Sequence, residues 1–150
     1  MAAARFVHTN IVARDWRALA AFYTEVFGCT PVPPERDLAG PWLEAATGVP
    51  GARIRGVHLR LPGHGDDGPT LEIFSYDPAA DAQGSAINRP GLAHLAFAVE
   101  DVNVALGAVL AAGGGQIGDA VALDIPGAGR GTFVYVTDPE GNAIELQAWS

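Results

Sequence analysis

Apolar and polar positions follow two rhythms along this chain, and the same succession of rhythms occurs twice. In "AHLAFAVED", Leu95, Phe97 and Val99 alternate with His94, Ala96 and Ala98, the period of two expected of a strand with one buried face. The stretch "VHTNIVARD" over residues 7–15 reads as the same phrase, with His8, Asn10 and Val12 at the positions of His94, Ala96 and Ala98. Each phrase gives way to a helical period. Leu19, Phe22, Tyr23, Val26 and Phe27 keep the i, i+3, i+4 spacing of one helix face, and Val102, Ala105, Leu106, Val109 and Leu110 keep it again. Asp15 and Asp101 are suited to the N-caps and Gly28 and Gly113 to the far ends.

Further strands follow each helix. "ARIRGVHLRLPG" and "PTLEIFSYDP" read as two of the first half, joined through "GHGDDG", and "RGTFVYVTDPEGNAIELQAW" reads as a hairpin of the second, turning at "DPEGN". Aligning "TLEIFSY" with "AIELQAW" superposes Glu72 on Glu145. Both halves then run strand, helix and three more strands. The expectation is an α+β fold, one domain made of two βαβββ repeats over about residues 5–77 and 91–149, with a linker over about 78–90 rich in Ala, Gly and Pro. Residues 40–52 have no counterpart in the second half. Pro41 and Gly48 bracket a short helix there, either a connector or the wall of a pocket.

Composition narrows the function. A chain of 150 residues with 49% hydrophobic and 17% charged residues can build a core and is not a disordered segment. A net charge of −8 with only 9 scattered basic residues excludes a phosphate-backbone partner, so no nucleic acid is expected. No apolar run approaches the ~20 residues of a membrane span, and no signal-peptide core is present, so a cytoplasmic protein is expected. Cys29 is the single cysteine and reads as a small buried hydrophobe.

Strand alternation places Thr70, Glu72, Phe74 and Tyr76 on one face and Leu71 and Ile73 on the other; likewise Glu145, Gln147 and Trp149 lie opposite Ile144 and Leu146. The aliphatic face must pack on the helices. Each half therefore turns one His and one Glu to its inner face: His8 with Glu72, and His94 with Glu145. Two such half-sites can close around one divalent ion, a nitrogen and oxygen site suited to Zn²⁺, Ni²⁺, Co²⁺, Mn²⁺ or Fe²⁺. Two carboxylates also balance the charge of such an ion. His58 borders this face as a substrate-binding or supporting residue, with Asn10, Phe74, Tyr76, Gln147, Trp149 and Trp42 as further candidates for lining a cavity. His64 reads as a solvated loop residue, and Arg53, Arg55 and Arg60 as a wet face able to hold an anion.

The segments "HTNIVARDWRALAAFYTEVFG", "TLEIF", "LAHLAFAVEDV" and "FVYVTDPEGNAIEL" resemble the vicinal oxygen chelate superfamily, which includes glyoxalase I, methylmalonyl-CoA epimerase, ring-cleaving dioxygenases and bleomycin-resistance proteins. The resemblance implies curved sheets around a metal-centred cavity, with His8, Glu72, His94 and Glu145 as metal ligands in the order seen in glyoxalase I. Epimerases generally carry Gln where this chain has Glu72. It also implies chelation of two neighbouring substrate oxygens and proton transfer next to a carbonyl, with Glu145 or Glu72 as the base: an isomerase, lyase or epimerase. The alternatives are an Fe²⁺ dioxygenase using His8, His94 and Glu145, and a resistance-type protein that sequesters an aromatic compound. In this superfamily paired modules come from one chain or from two, and a homodimer is expected.

Overall fold

The computed structural model describes residues 3–84 and 86–150, which divide into two compact units between Asp81 and Ala82. Module 1 runs β1 (His8–Val12), α1 (Trp16–Phe27), β2 (Thr30–Ala39), α2 (Pro41–Thr47), β3 (Arg53–Arg60) and β4 (Thr70–Asp77). Its sheet has the order β1-β4-β3-β2, with β1 parallel to β4 and the other pairs antiparallel. The local chemistry explains the boundaries. The Asp15 carboxylate accepts from the backbone N–H of Arg17 and Ala18, and Trp16 N–H donates to Ser75 Oγ at 3.3 Å, which ties the start of α1 to β4. Gly28 ends the helix at φ 69°, a left-handed conformation that suits a residue without a Cβ.

The apolar stripe of α1 is buried through Leu19, Ala20, Phe22 and Tyr23, and this helix packs on β3 and β4, whose Val57, Leu59, Leu71 and Ile73 are also buried. The outermost strand, β2, carries Pro31, Pro33 and Pro34 and shifts register between Val32 and Arg36. Prolines lack the donor that a further strand would need, so they protect this edge from unwanted pairing.

Module 2 runs β5 (Leu95–Ala98), α3 (Val102–Ala111), β6 (Gly115–Gln116), β7 (Val121–Ile125), β8 (Gly129–Thr137) and β9 (Ala143–Trp149). Its strand order, β5-β9-β8-β6, repeats that of module 1, and β7 also pairs with β8. The two modules are thus the paired βαβββ units of an α+β fold. Four strands rather than three follow α3, because the single edge strand of module 1 is replaced by the two-residue β6 and the separate β7, which turns back on β8 through Gly127 and Gly129. Alternation in "VALDI" is weak, and most of β7 is exposed.

Val102 and Val109 of α3 are buried on the helix-packed side, along with Val134, Val136, Ile144 and Leu146. Leu110, although in register with the apolar stripe, is 47% exposed in the last turn. The β8–β9 turn is organised by the buried Asp138 side chain, which accepts from Glu140 N–H, Asn142 N–H and Asn142 Nδ2 at 2.8–3.0 Å. Among the described residues no helix is long and apolar enough to cross a membrane.

The segment absent from the second half has a specific place. Leu43 of α2 and Ala52 are buried with Ile54 of β3 and Phe74 of β4, and Leu38, Val49 and Tyr76 pack around them. Residues 54 and 74 lie on the face opposite α1. The insertion therefore forms an apolar wall over part of the same sheet face that carries Glu72.

Candidate metal centre: one carboxylate and its donors in each module

Glu72 sits in the middle strand of three, paired in register with Asn10 on β1 and His58 on β3. Those neighbours converge on its carboxylate. His8 Nε2 lies 3.3 Å from Oε2, Asn10 Nδ2 donates to Oε2 at 3.2 Å, and His58 Nε2 lies 3.0 Å from Oε1. Glu72 is only 8% exposed, and a carboxylate removed from water is tolerated when its oxygens are satisfied in this way. Burial lowers the His58 imidazole below its usual range; Glu72 opposes that shift, while Arg36 and His8 add to it.

Module 2 builds the equivalent arrangement with fewer donors. His94 Nε2 lies 3.1 Å from Glu145 Oε2, and Tyr135 Oη donates to the same oxygen at 3.1 Å. Tyr135 is the register partner of Glu145, as His58 is of Glu72, while the position of Asn10 is taken by Ala96. The Tyr135 hydroxyl is raised above its usual range by burial first and by its hydrogen bond to the carboxylate second.

Tyr135 is the residue that sequence reading missed. Its signal was available: a hairpin turning at "DPEGN" pairs residues equidistant from Glu140, and that rule brings position 135 opposite 145.

These pairs suit a metal. Ligand atoms about 2.0–2.2 Å from one ion stand roughly 3–3.5 Å from each other, so His–Glu approaches of 3.3 and 3.1 Å have the spacing of neighbouring ligands. Among the described residues no group of three or more His, Cys, Asp or Glu is placed to hold a metal ion together. Each half-site offers a nitrogen and oxygen pair.

The remaining candidates fall in different places. Phe74 is buried in the cluster with Leu43, its ring edge-on to His58 at 5.6 Å between centroids, and Tyr76 packs on the border of that cluster. Gln147 lies next to Glu145 on the same face of β9 and accepts from Trp149 Nε1; Trp149 itself packs edge-on against Phe133. Trp42 is 56% exposed, and His64 is exposed in the loop before β4. Of the arginines, Arg53 makes a two-pronged pair with Asp37 at 2.6 and 2.7 Å and Arg55 approaches the same carboxylate at 3.7 Å. Both lie on the face of β3 opposite His58. Arg60 pairs with Asp66 at 3.3 Å. Cys29 is 1% exposed, and burial pushes its thiol up to about 11.

A family model described as the Glyoxalase/Bleomycin resistance protein/Dioxygenase superfamily matches residues 5–146. No curated protein matches the sequence. Among solved structures, a glyoxalase family protein from Bacillus cereus is 18% identical with a TM-score of 0.75, over 96% of this chain and 91% of that one. A glyoxalase family protein from Enterococcus faecalis is 26% identical with a TM-score of 0.61, over 95% and 96%. A mutant of the fosfomycin resistance protein FosX from Listeria monocytogenes, complexed with Mn(II) and 1S,2S-dihydroxypropylphosphonic acid, is 15% identical with a TM-score of 0.61, over 99% and 95%.

Proposed function

Since the chain belongs to the glyoxalase/bleomycin resistance protein/dioxygenase superfamily, we propose that it is a divalent-metal-dependent enzyme of the glyoxalase type, an isomerase, lyase or epimerase that moves a proton next to a carbonyl. The observation that carries this reading is the doubled His–Glu pair, His8 with Glu72 at 3.3 Å and His94, just before β5, with Glu145 at 3.1 Å. Four such donors, in the order His8, Glu72, His94 and Glu145, resemble the ligand pattern of glyoxalase I. The FosX neighbour's complex, with a divalent ion and a compound bearing adjacent hydroxyls, supports the same kind of site.

A Zn²⁺, Ni²⁺, Co²⁺, Mn²⁺ or Fe²⁺ ion held there would act as a Lewis acid toward two neighbouring substrate oxygens. The chain's own groups do the rest. Glu145 or Glu72 takes the proton from the adjacent carbon, the two carboxylates balance the ion's charge, and Tyr135 and Asn10 orient them by hydrogen bonds. The wall formed by Leu43, Phe74 and Tyr76 keeps one side of the face dry, which strengthens each electrostatic contact beside it. Asn10, His58, Gln147 and Trp149 border the substrate position in this reading. A homodimer belongs to it as well: β1 and β5 end their sheets, and Phe6, Val7 and Leu92 beside them are 67%, 55% and 86% exposed.

The test is elemental analysis of protein purified without added metal, followed by NMR detection of solvent deuterium entering hydroxy-carbonyl compounds and thiol hemithioacetals. Near-stoichiometric metal with exchange that is lost in Glu145→Gln or Glu72→Gln is the expected result. Metal-dependent oxygen uptake with a catechol would replace the reading by ring cleavage. A protein that takes up none of the five ions yet binds aromatic compounds would replace it by sequestration.

A further inference from the structure

The two carboxylates are held in different ways, and the difference lies at one pair of equivalent positions. In module 2, His94 and Tyr135 both approach Oε2 of Glu145, leaving the other oxygen to neither. In module 1 the donors are divided. His8 and Asn10 meet Oε2 of Glu72, whereas His58 meets Oε1 from the opposite strand. His58 is itself braced: β3 pairs it in register with Glu72, and its ring abuts Phe74, which the wall from α2 buries. Gly56 permits that arrangement, since a Cβ there would lie 2.3 Å from the Phe74 ring and 2.1 Å from the Ile73 carbonyl oxygen.

We infer that His58 is a positioning residue that clamps Glu72 by the oxygen turned away from His8, so that Glu72 presents a single oxygen beside His8 and keeps it there. This rests on the metal-dependent reading above. With one oxygen tied to His58, Glu72 can neither rotate to offer both oxygens nor swing out of the site, and it serves as the fixed donor of the pair. Glu145 has no donor on its second oxygen from a register partner and retains that freedom. The imidazole differs from His8 in the oxygen it meets: its nitrogen faces Oε1, while His8 and Asn10 converge on Oε2. Positioning groups of this kind typically change metal affinity by about 10–100-fold when removed.

The experiment is a Zn²⁺ competition titration against a chromogenic chelator on wild type, His8→Ala, His58→Leu and His58→Gln, with thermal melting of each apoprotein as the control for folding. His58→Leu keeps apolar contact with Phe74 but has no donor, and His58→Gln restores an N–H. The expected result is a 10–100-fold weaker Zn²⁺ dissociation constant in His58→Leu, largely recovered in His58→Gln at similar melting temperature, with His8→Ala losing far more. Unchanged affinity in His58→Leu would overturn the clamp. So would a loss in both His58 variants as deep as in His8→Ala, which would make the imidazole a ligand. Wild-type protein that binds no Zn²⁺, Ni²⁺, Co²⁺, Mn²⁺ or Fe²⁺ would instead bring down the metal-dependent reading, and the clamp with it.

Discussion

Modules 1 and 2 share a strand order and a carboxylate at the same place, yet they are built from different materials. Module 1 packs aromatic residues, Phe22 and Tyr23, from its helix onto the sheet and covers part of the opposite face with α2. Module 2 packs valines, Val102 and Val109, has no counterpart of α2 among the described residues and extends its edge with β7. Around the carboxylate the first module supplies two imidazoles and an amide, the second an imidazole and a phenol. The lesson is that a repeated hydrophobic pattern preserves the backbone frame while leaving the groups on the inner face free to diverge.

The largest test of this comparison removes one half-site at a time. The variants His8→Ala with Glu72→Ala and His94→Ala with Glu145→Ala should each reduce bound metal from near one equivalent to near none by elemental analysis. If one pair of substitutions spared the metal, the half-sites would not be partners in one centre. Next come the two helices. Phe22→Ala in α1 should cost about 3–5 kcal/mol in urea unfolding, because a buried ring leaves a large cavity. Val109→Ala in α3, which removes two methyl groups, should cost about 2 kcal/mol. Equal costs would show that the helices pack alike after all.

A finer contrast uses glycines beneath aromatic rings. A Cβ at Gly56 meets the Ile73 carbonyl oxygen at 2.1 Å as well as Phe74, whereas at Gly131 its nearest obstacle is the tip of the Phe133 ring, at 2.3 Å. Backbone cannot move aside as a ring can. Gly56→Ala should therefore destabilise by about 3 kcal/mol and Gly131→Ala by about 1 kcal/mol. The helix caps should each cost about 1 kcal/mol: Asp15→Ala and Asp101→Ala both remove a carboxylate that accepts from two backbone N–H groups.

The smallest effect concerns Cys29. With its thiol raised to about 11 from 9.0 by burial, the native protein should react very slowly with a disulfide reagent near pH 8, and the unfolded chain quickly. The sign follows from ionisation. The unfolded thiol loses its proton from about pH 9 while the native one keeps it to about 11, so native stability should fall modestly as pH rises through that window. Equal reaction rates in the two states would contradict the burial.

Much of the frame was legible because it depends on periodicity. Asp15, Gly28 and Asp101 marked helix ends by local chemistry, and alternation in "TLEIF" and "AIELQ" separated Glu72 and Glu145 from the aliphatic faces beside them. The edge strands were less legible. β2 is interrupted by prolines, and β7 alternates too weakly to announce itself, since neither needs a fully buried face.

The order of strands and helices, and the type of donor each half carries, follow from sequence alone, since they rest on spacing within one segment and on side-chain chemistry. Tertiary structure decided which of those donors meet. His58 reaches Oε1 of Glu72, Tyr135 reaches Glu145, and α2 covers Phe74 through register between strands and packing between distant segments. A one-residue slip in such a register would turn every one of these side chains to the other face, so the hydrogen bonds that set it, not composition, select the neighbours of each carboxylate.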